Sequence, residues 1–191
     1  MRSPSIGSAG HWRRVGILAA SVLTAATVAA CGSSTPAEEP AAGATDGIEG
    51  VQTYSGLTRN HTKQAVDYPQ SPPVGGDHNP LWLDCTGTVY DQPVPNENAV
   101  HSLEHGAVWV TRDDSVSTGD VDALAALVDG QPYTFMSPYP GQPSPIMLTA
   151  WGVQLGVDSA DDPRIEEFLT TYRQGPQTPE PGATCESGVM P

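Results

Sequence analysis

Residues 98–110, NAVHSLEHGAVWV, join two apolar patterns end to end. Val100 and Leu103 stand three apart, a spacing that puts side chains on one helical face. Asn96 is a residue type that caps helix starts, and Gly106 suits the left-handed conformation that ends them. The spacing therefore predicts a short helix over 97–105. Directly after it, residues 107–111 (AVWVT) read as a buried strand. A helix that runs straight into a buried strand carries His101, Glu104 and His105 on its last turn, while Val100 and Leu103 face the core.

Working outward from this junction, the chain alternates helix and strand signals. Ser117-Thr118-Gly119-Asp120 opens a second helix with Val121, Leu124, Ala125 and Val128 at helical spacing, ended by Gly130. Residues 133–137 (YTFMS), 146–151 (IMLTAW) and 153–157 (VQLGV) read as strands. Asp162 caps a third helix, Pro163 takes its first position, Ile165, Phe168, Leu169 and Tyr172 form its buried stripe, and Gly175 stops it. Upstream, residues 67–96 are dense in Pro, Gly, Asp and Asn. Pro69, Pro72, Pro73 and Pro80 exclude helix and central strand there, while Tyr68, Trp82 and Tyr90 favour a packed loop. The order loop, α, β, α, β, β, α gives an α+β class. We expect a single domain with a small mixed or antiparallel sheet, about three helices and a long Pro/Gly-rich loop.

The N-terminus has a different character. Arg2, Arg13 and Arg14 precede residues 15–27, VGILAASVLTAAT, an apolar stretch too short to span a bilayer comfortably. Val28-Ala29-Ala30-Cys31 matches the bacterial lipobox. This predicts a signal peptide over 1–30, cleavage before Cys31 and lipid on its sulfur, which would hold the protein outside the cytoplasm on the cell membrane. Residues 31–50 have few large apolar side chains and read as a flexible tether. The domain then covers 51–185, with a tail over 186–191.

Removing 30 of the 191 residues leaves 161. All 22 acids lie in that part, against Arg59, Lys63, Arg112, Arg164 and Arg173, for a net charge of −17. Such a surface repels nucleic acid and anionic headgroups, so lipid rather than charge is the expected membrane contact. Beyond Cys31 the cysteines are Cys85 and Cys185. In an oxidising compartment their default is one disulfide. A loop of about 100 residues closed this way is worth on the order of 4–5 kcal/mol in the chain-entropy model. A role as thiolate metal ligands ranks behind, because neither belongs to a C-x-x-C pair.

Residues four apart on a helix share a face, so His101 and His105 are expected side by side, with Glu104 adjacent. Two histidines make a weak metal site, and three or four ligands are needed. His78, in the turn-rich GGDHNP, can fold over the helix end. The expected site combines His78, His101 and His105, with His61 or Glu104 added, and copper or zinc is the expected ion. Met136 and Met147 offer thioethers to copper but read first as core residues. H-x-x-E-H also matches the inverzincin peptidases, with Glu104 as general base. That motif needs a longer helix and a downstream acidic ligand, so a zinc hydrolase ranks second. Nucleophile-elbow, phosphate-loop, dinucleotide and C-x-x-C motifs do not occur.

SPPVGGDHNPLW, then Tyr90 and Pro93-Val94, then NAVHSLEHGAVWVT, SPYPG and TAWG together resemble an uncharacterised bacterial family. It is known as domain of unknown function 3105 and is frequent among actinobacterial envelope proteins. The likeness covers roughly residues 51–185. Its most specific part falls on Pro72, Pro73, Gly76 or its neighbour, His78, His101, Glu104, His105 and Gly106. Thr86 after Cys85, and Arg112 at an expected aromatic position, are departures. The resemblance implies one domain and a shared polar cluster, and it implies no reaction. Three functions are therefore weighed: a lipid-anchored metal binder, a zinc hydrolase, and a structural or partner-binding module in which HSLEHG forms a hydrogen-bonded corner.

Overall fold

A computed structural model of the protein describes residues 47–191. The expected signal peptide, the expected lipidation site at Cys31 and the expected tether through residue 46 lie outside the described residues.

Alternation within single strands explains the layering. In β3 (Val108–Arg112), Val108 and Val110 enter one apolar cluster while Trp109 enters another. In β4 (Thr134–Pro138), Met136 and Phe135 divide the same way. Successive strand side chains point to opposite faces, so the sheet is covered on both sides. One face packs against the second and third helices, through Leu124 and Val128 of one and Ile165, Phe168, Leu169 and Tyr172 of the other. The other face packs against the first helix, through Ala99, Val100 and Leu103, and against Leu83, Tyr90 and the cysteines.

The sheet is mixed, as the α+β reading anticipates. Six strands lie in the order β1-β6-β5-β3-β4-β2. β3 and β4 are parallel and β2 (Thr86–Val89) joins β4 in parallel, whereas β5 (Ile146–Ala150), β6 (Val153–Val157) and β1 (Gln52–Thr53) add antiparallel neighbours. Helices α1 (Asn96–Glu104), α2 (Thr118–Val128) and α3 (Arg164–Tyr172) complete the fold. Among the described residues, no helix is long and apolar enough to cross a membrane.

Several local expectations shift. Pro95, not Asn96, flanks the start of α1, and no side chain caps it; Asn96 instead donates to the Tyr139 hydroxyl. Ser117 caps α2 by accepting from Asp120 N–H. Asp162 Oδ1 accepts from Arg164 N–H at 2.9 Å, so it caps α3 as anticipated. The left-handed residue after α3 is Gln174 (φ 52) rather than Gly175. β1 and β2 were not anticipated. β2 lies inside the stretch read as loop because Gly87 is an extra residue there: Thr86 pairs Thr134 and Thr88 pairs Phe135. This bulge breaks the period-two pattern.

The ends are more tightly packed than their composition suggests. Ile48 is buried in the core, so packing starts before residue 51. In the tail, Val189 N–H donates to Trp82 O at 2.8 Å, and Cys185 is bonded to Cys85. Residues 180–189 thus form a strap against α1 and Leu83.

Gly87 has φ +89, and a Cβ there would run into the backbone of Gly130 and Gln131. Gly87→Ala is expected to lower the unfolding free energy by more than about 2 kcal/mol in a urea titration. An unchanged midpoint would mean that β2 does not lie against the α2–β4 turn.

Candidate metal centre

Helix α1 presents His101 and Glu104 three apart on its buried face, 4 % and 2 % exposed. Two further histidines arrive through a short parallel bridge between His61 and His78. Thr62 N–H donates to His78 O at 2.7 Å, and His78 N–H donates to Asn60 O at 3.0 Å. The Asn60 backbone and side-chain amides both donate to Asp77 Oδ1. Asn79 N–H then donates to Glu97 O and ties this bridge to α1. His61, His78, His101 and Glu104 are thereby brought together, each offering a ligand atom, all within 4.8 Å of one another. The three ring centroids form a near-equilateral triangle with sides of 5.0, 4.9 and 4.8 Å.

Backbone carbonyls aim the rings. His78 Nδ1 lies 2.8 Å from Gly76 O, and His101 Nδ1 lies 2.6 Å from Asn79 O. A carbonyl only accepts, so each Nδ1 carries the proton and each Nε2 of the neutral ring carries a lone pair. This assignment, inferred from the hydrogen-bond partners, is the outer-shell pattern that orients metal-ligating imidazoles.

The interior of the group is short of positive charge. His78 Nε2 is buried and makes no hydrogen bond. Glu104 Oε2 stands 2.9 Å from it, close but not aligned for one. An imidazole nitrogen and a carboxylate oxygen thus face each other in the core. Among the described residues no Lys or Arg reaches Glu104, and burying an ionised carboxylate without a counter-charge is costly. Burial pushes His101 down to about 4; the Asn79 carbonyl opposes the shift, and the neighbouring histidines reinforce it. His101 is therefore neutral at ordinary pH and its Nε2 is free to coordinate.

His105 stands outside the four. It follows the last residue of α1, and its Nδ1 donates to Thr184 O at 2.7 Å. Its ring meets His101 edge-on at 4.6 Å, while its Nε2 lies 3.9 Å from Glu180 Oε2 on the strap. The expected contact between the two α1 histidines is present. His61, which the sequence offers as an added ligand, is the third imidazole of the group and is exposed. Cys85 and Cys185 bond to each other and so supply no thiolate. Met136 is part of the opposite-face core, and Met147 is buried on β5.

Supporting residues carried little sequence signal. Ser102 Oγ accepts from Leu83 N–H and lies within donating distance of Leu83 O, both at 3.0 Å, which fastens α1 to the loop. Gly106 has φ +94, and a Cβ there would strike Gln174 and Thr178. Trp82 and Trp151 wall the group, with ring centroids 5.7 Å from His101 and 6.1 Å from His78. The aromatic residues were visible as packing candidates, but the carbonyls of Gly76 and Asn79 have no side-chain signature at all.

Residues 60–187 match the family described as "Protein of unknown function (DUF3105)". The chain belongs to this family. All four grouped side chains, His105 and both cysteines of this DUF3105 domain lie within the matched span. No curated protein and no solved structure matches the chain.

His101 takes a proton near pH 4 when folded and near its ordinary 6.5 when unfolded. Between those values the unfolded chain binds more protons, so stability falls as pH falls. Calorimetric melting of the metal-free protein is expected to show wild type losing stability relative to His101→Gln from pH 6.5 down to 4. A difference that stays constant over that window would contradict a buried neutral imidazole.

Proposed function

We propose that this protein binds one divalent transition-metal ion, copper or zinc, through His61, His78, His101 and Glu104. In this role it would act as a buffer, sensor or carrier outside the cytoplasm, anchored to the cell membrane by lipid on Cys31. The observation that carries the metal reading is the buried, unaligned approach of His78 Nε2 and Glu104 Oε2 at 2.9 Å. A divalent cation between them satisfies both atoms and neutralises the carboxylate. Three imidazoles and one carboxylate suit zinc and copper(II), whereas copper(I) prefers the sulfur donors that this group lacks. A tetrahedral zinc site at about 2.0–2.1 Å per bond spans about 3.4 Å between ligand atoms. The four groups reach that span from 4.8 Å by side-chain rotation, with His61 free to move furthest.

The arrangement favours ligation over hydrolysis. A general base must face a water or substrate, and Glu104 is buried with Oε2 turned toward His78. The leader, the lipobox and the acidic surface support the extracytoplasmic, membrane-attached part of the proposal.

Elemental analysis of the full chain purified in detergent is expected to find one equivalent of zinc or copper. His78→Ala, His101→Ala and Glu104→Gln should each weaken binding at least about 100-fold, or ~2.7 kcal/mol. Cys31→Ala should move the protein from the membrane to the aqueous fraction. Negligible metal in both wild type and variants would leave the partner-binding module. Peptide hydrolysis that is lost in Glu104→Gln would restore the hydrolase.

A further inference from the structure

The four candidate ligands are not equivalent. His78, His101 and Glu104 are buried, and the two histidines are each held by a backbone carbonyl. His61 is exposed, and among the described residues neither of its ring nitrogens makes a hydrogen bond. Three buried candidate ligands and one exposed one resemble the division in zinc enzymes, where three protein groups hold the ion and the fourth position exchanges.

A cationic residue close to His61 in the chain suggests the class of incoming group. Arg59, two residues before it, lines a groove of about 340 Å³ together with Tyr54, Leu57, Trp151 and Gln177. Trp151 also forms the wall of the metal group, with its ring 6.1 Å from His78. The groove and the metal group therefore share a side chain. Arg59 makes no ion pair among the described residues, in a chain with 22 acidic residues. A guanidinium left unpaired in such an acidic protein is an available partner for a carboxylate, which it can hold through two parallel hydrogen bonds.

We propose that His61 is a displaceable ligand and that a small carboxylate takes its place on the metal, guided by Arg59 in the groove. The inference rests on the metal-binding reading above. In the exchange one metal–nitrogen bond to His61 breaks and one metal–oxygen bond forms. His61 leaves as a neutral imidazole, and no electron is transferred. Such a site suits a protein that passes its ion to a carboxylate-bearing acceptor or senses a small organic acid through its metal.

The test uses the full chain in detergent, loaded with copper(II) and titrated with acetate against chloride at matched ionic strength, read by visible absorption. Acetate is expected to shift the copper band saturably. The half-saturating concentration should fall about tenfold in His61→Ala and rise about tenfold in Arg59→Gln. His61→Gln, which keeps a side chain of similar reach, should behave as His61→Ala does. An acetate-insensitive band in wild type and both His61 variants would overturn the proposal. So would loss of copper from both His61 variants, or a shift produced by imidazole but not by acetate. If wild type took up no copper, both this inference and the metal reading would fall. If it took up copper without responding to acetate, only this one would.

Discussion

Two backbone carbonyls, those of Gly76 and Asn79, set the chemistry of this domain by holding the Nδ1 protons of His78 and His101. With those protons fixed, both Nε2 atoms turn inward, toward a carboxylate that among the described residues no Lys or Arg reaches. The rest of the fold follows as support. The His61–His78 bridge places the loop, Ser102 pins α1 to Leu83, and the disulfide keeps the strap against α1 and its last turn. A third carbonyl, that of Thr184, orients His105 in the same way but directs it toward Glu180.

The sheet does more than supply a core. Its two-residue turn at Trp151 and Gly152 joins β5 to β6 and anchors the loop from below. Gly152 N–H donates to Val74 O, and Gly152 O accepts from Tyr54 N–H. The same turn sets Trp151 between the histidines and the groove. Precision at the site therefore comes from a strand turn and a helix, although the candidate ligand His78 lies on the proline-rich loop and His61 in the segment before it. Rigid placement of that kind lowers the cost of organising ligands when an ion binds.

Much of this was legible in the residues, and the gaps have physical causes. Strong periodicity located α2, α3, β3, β4, β5 and β6 within a residue or two, the normal scatter of element ends. Alternation failed at β2, where Gly87 makes a bulge, and β1 is only two residues long, too short to show a period. The pairing of Cys85 with Cys185 followed from counting. Helical spacing correctly put His101 and Glu104 on one face, and the turn-rich context of His78 let it fold over them. His105 does meet His101, as i and i+4 spacing predicts, but α1 ends at Glu104 and the Thr184 carbonyl on the strap holds the His105 Nδ1. His61 is an exposed residue among polar neighbours, which is why it entered the expected site only as an added ligand. Its proximity to His78 depends on backbone hydrogen bonds between residues 60–62 and 78, which side-chain identities do not encode.

His78 Nε2, His101 Nε2 and a ring nitrogen of His61 converge with the Glu104 carboxylate, while the His105 Nε2 faces Glu180. Two-dimensional NMR of the ¹⁵N-labelled imidazoles, before and after one equivalent of zinc, tests it most directly. The account expects Nδ1-protonated rings for His78 and His101 in the metal-free protein. On zinc addition the coordinating nitrogens of His61, His78 and His101 should shift while His105 is little changed. A doubly protonated His78 paired with Glu104, unmoved by zinc, would contradict it.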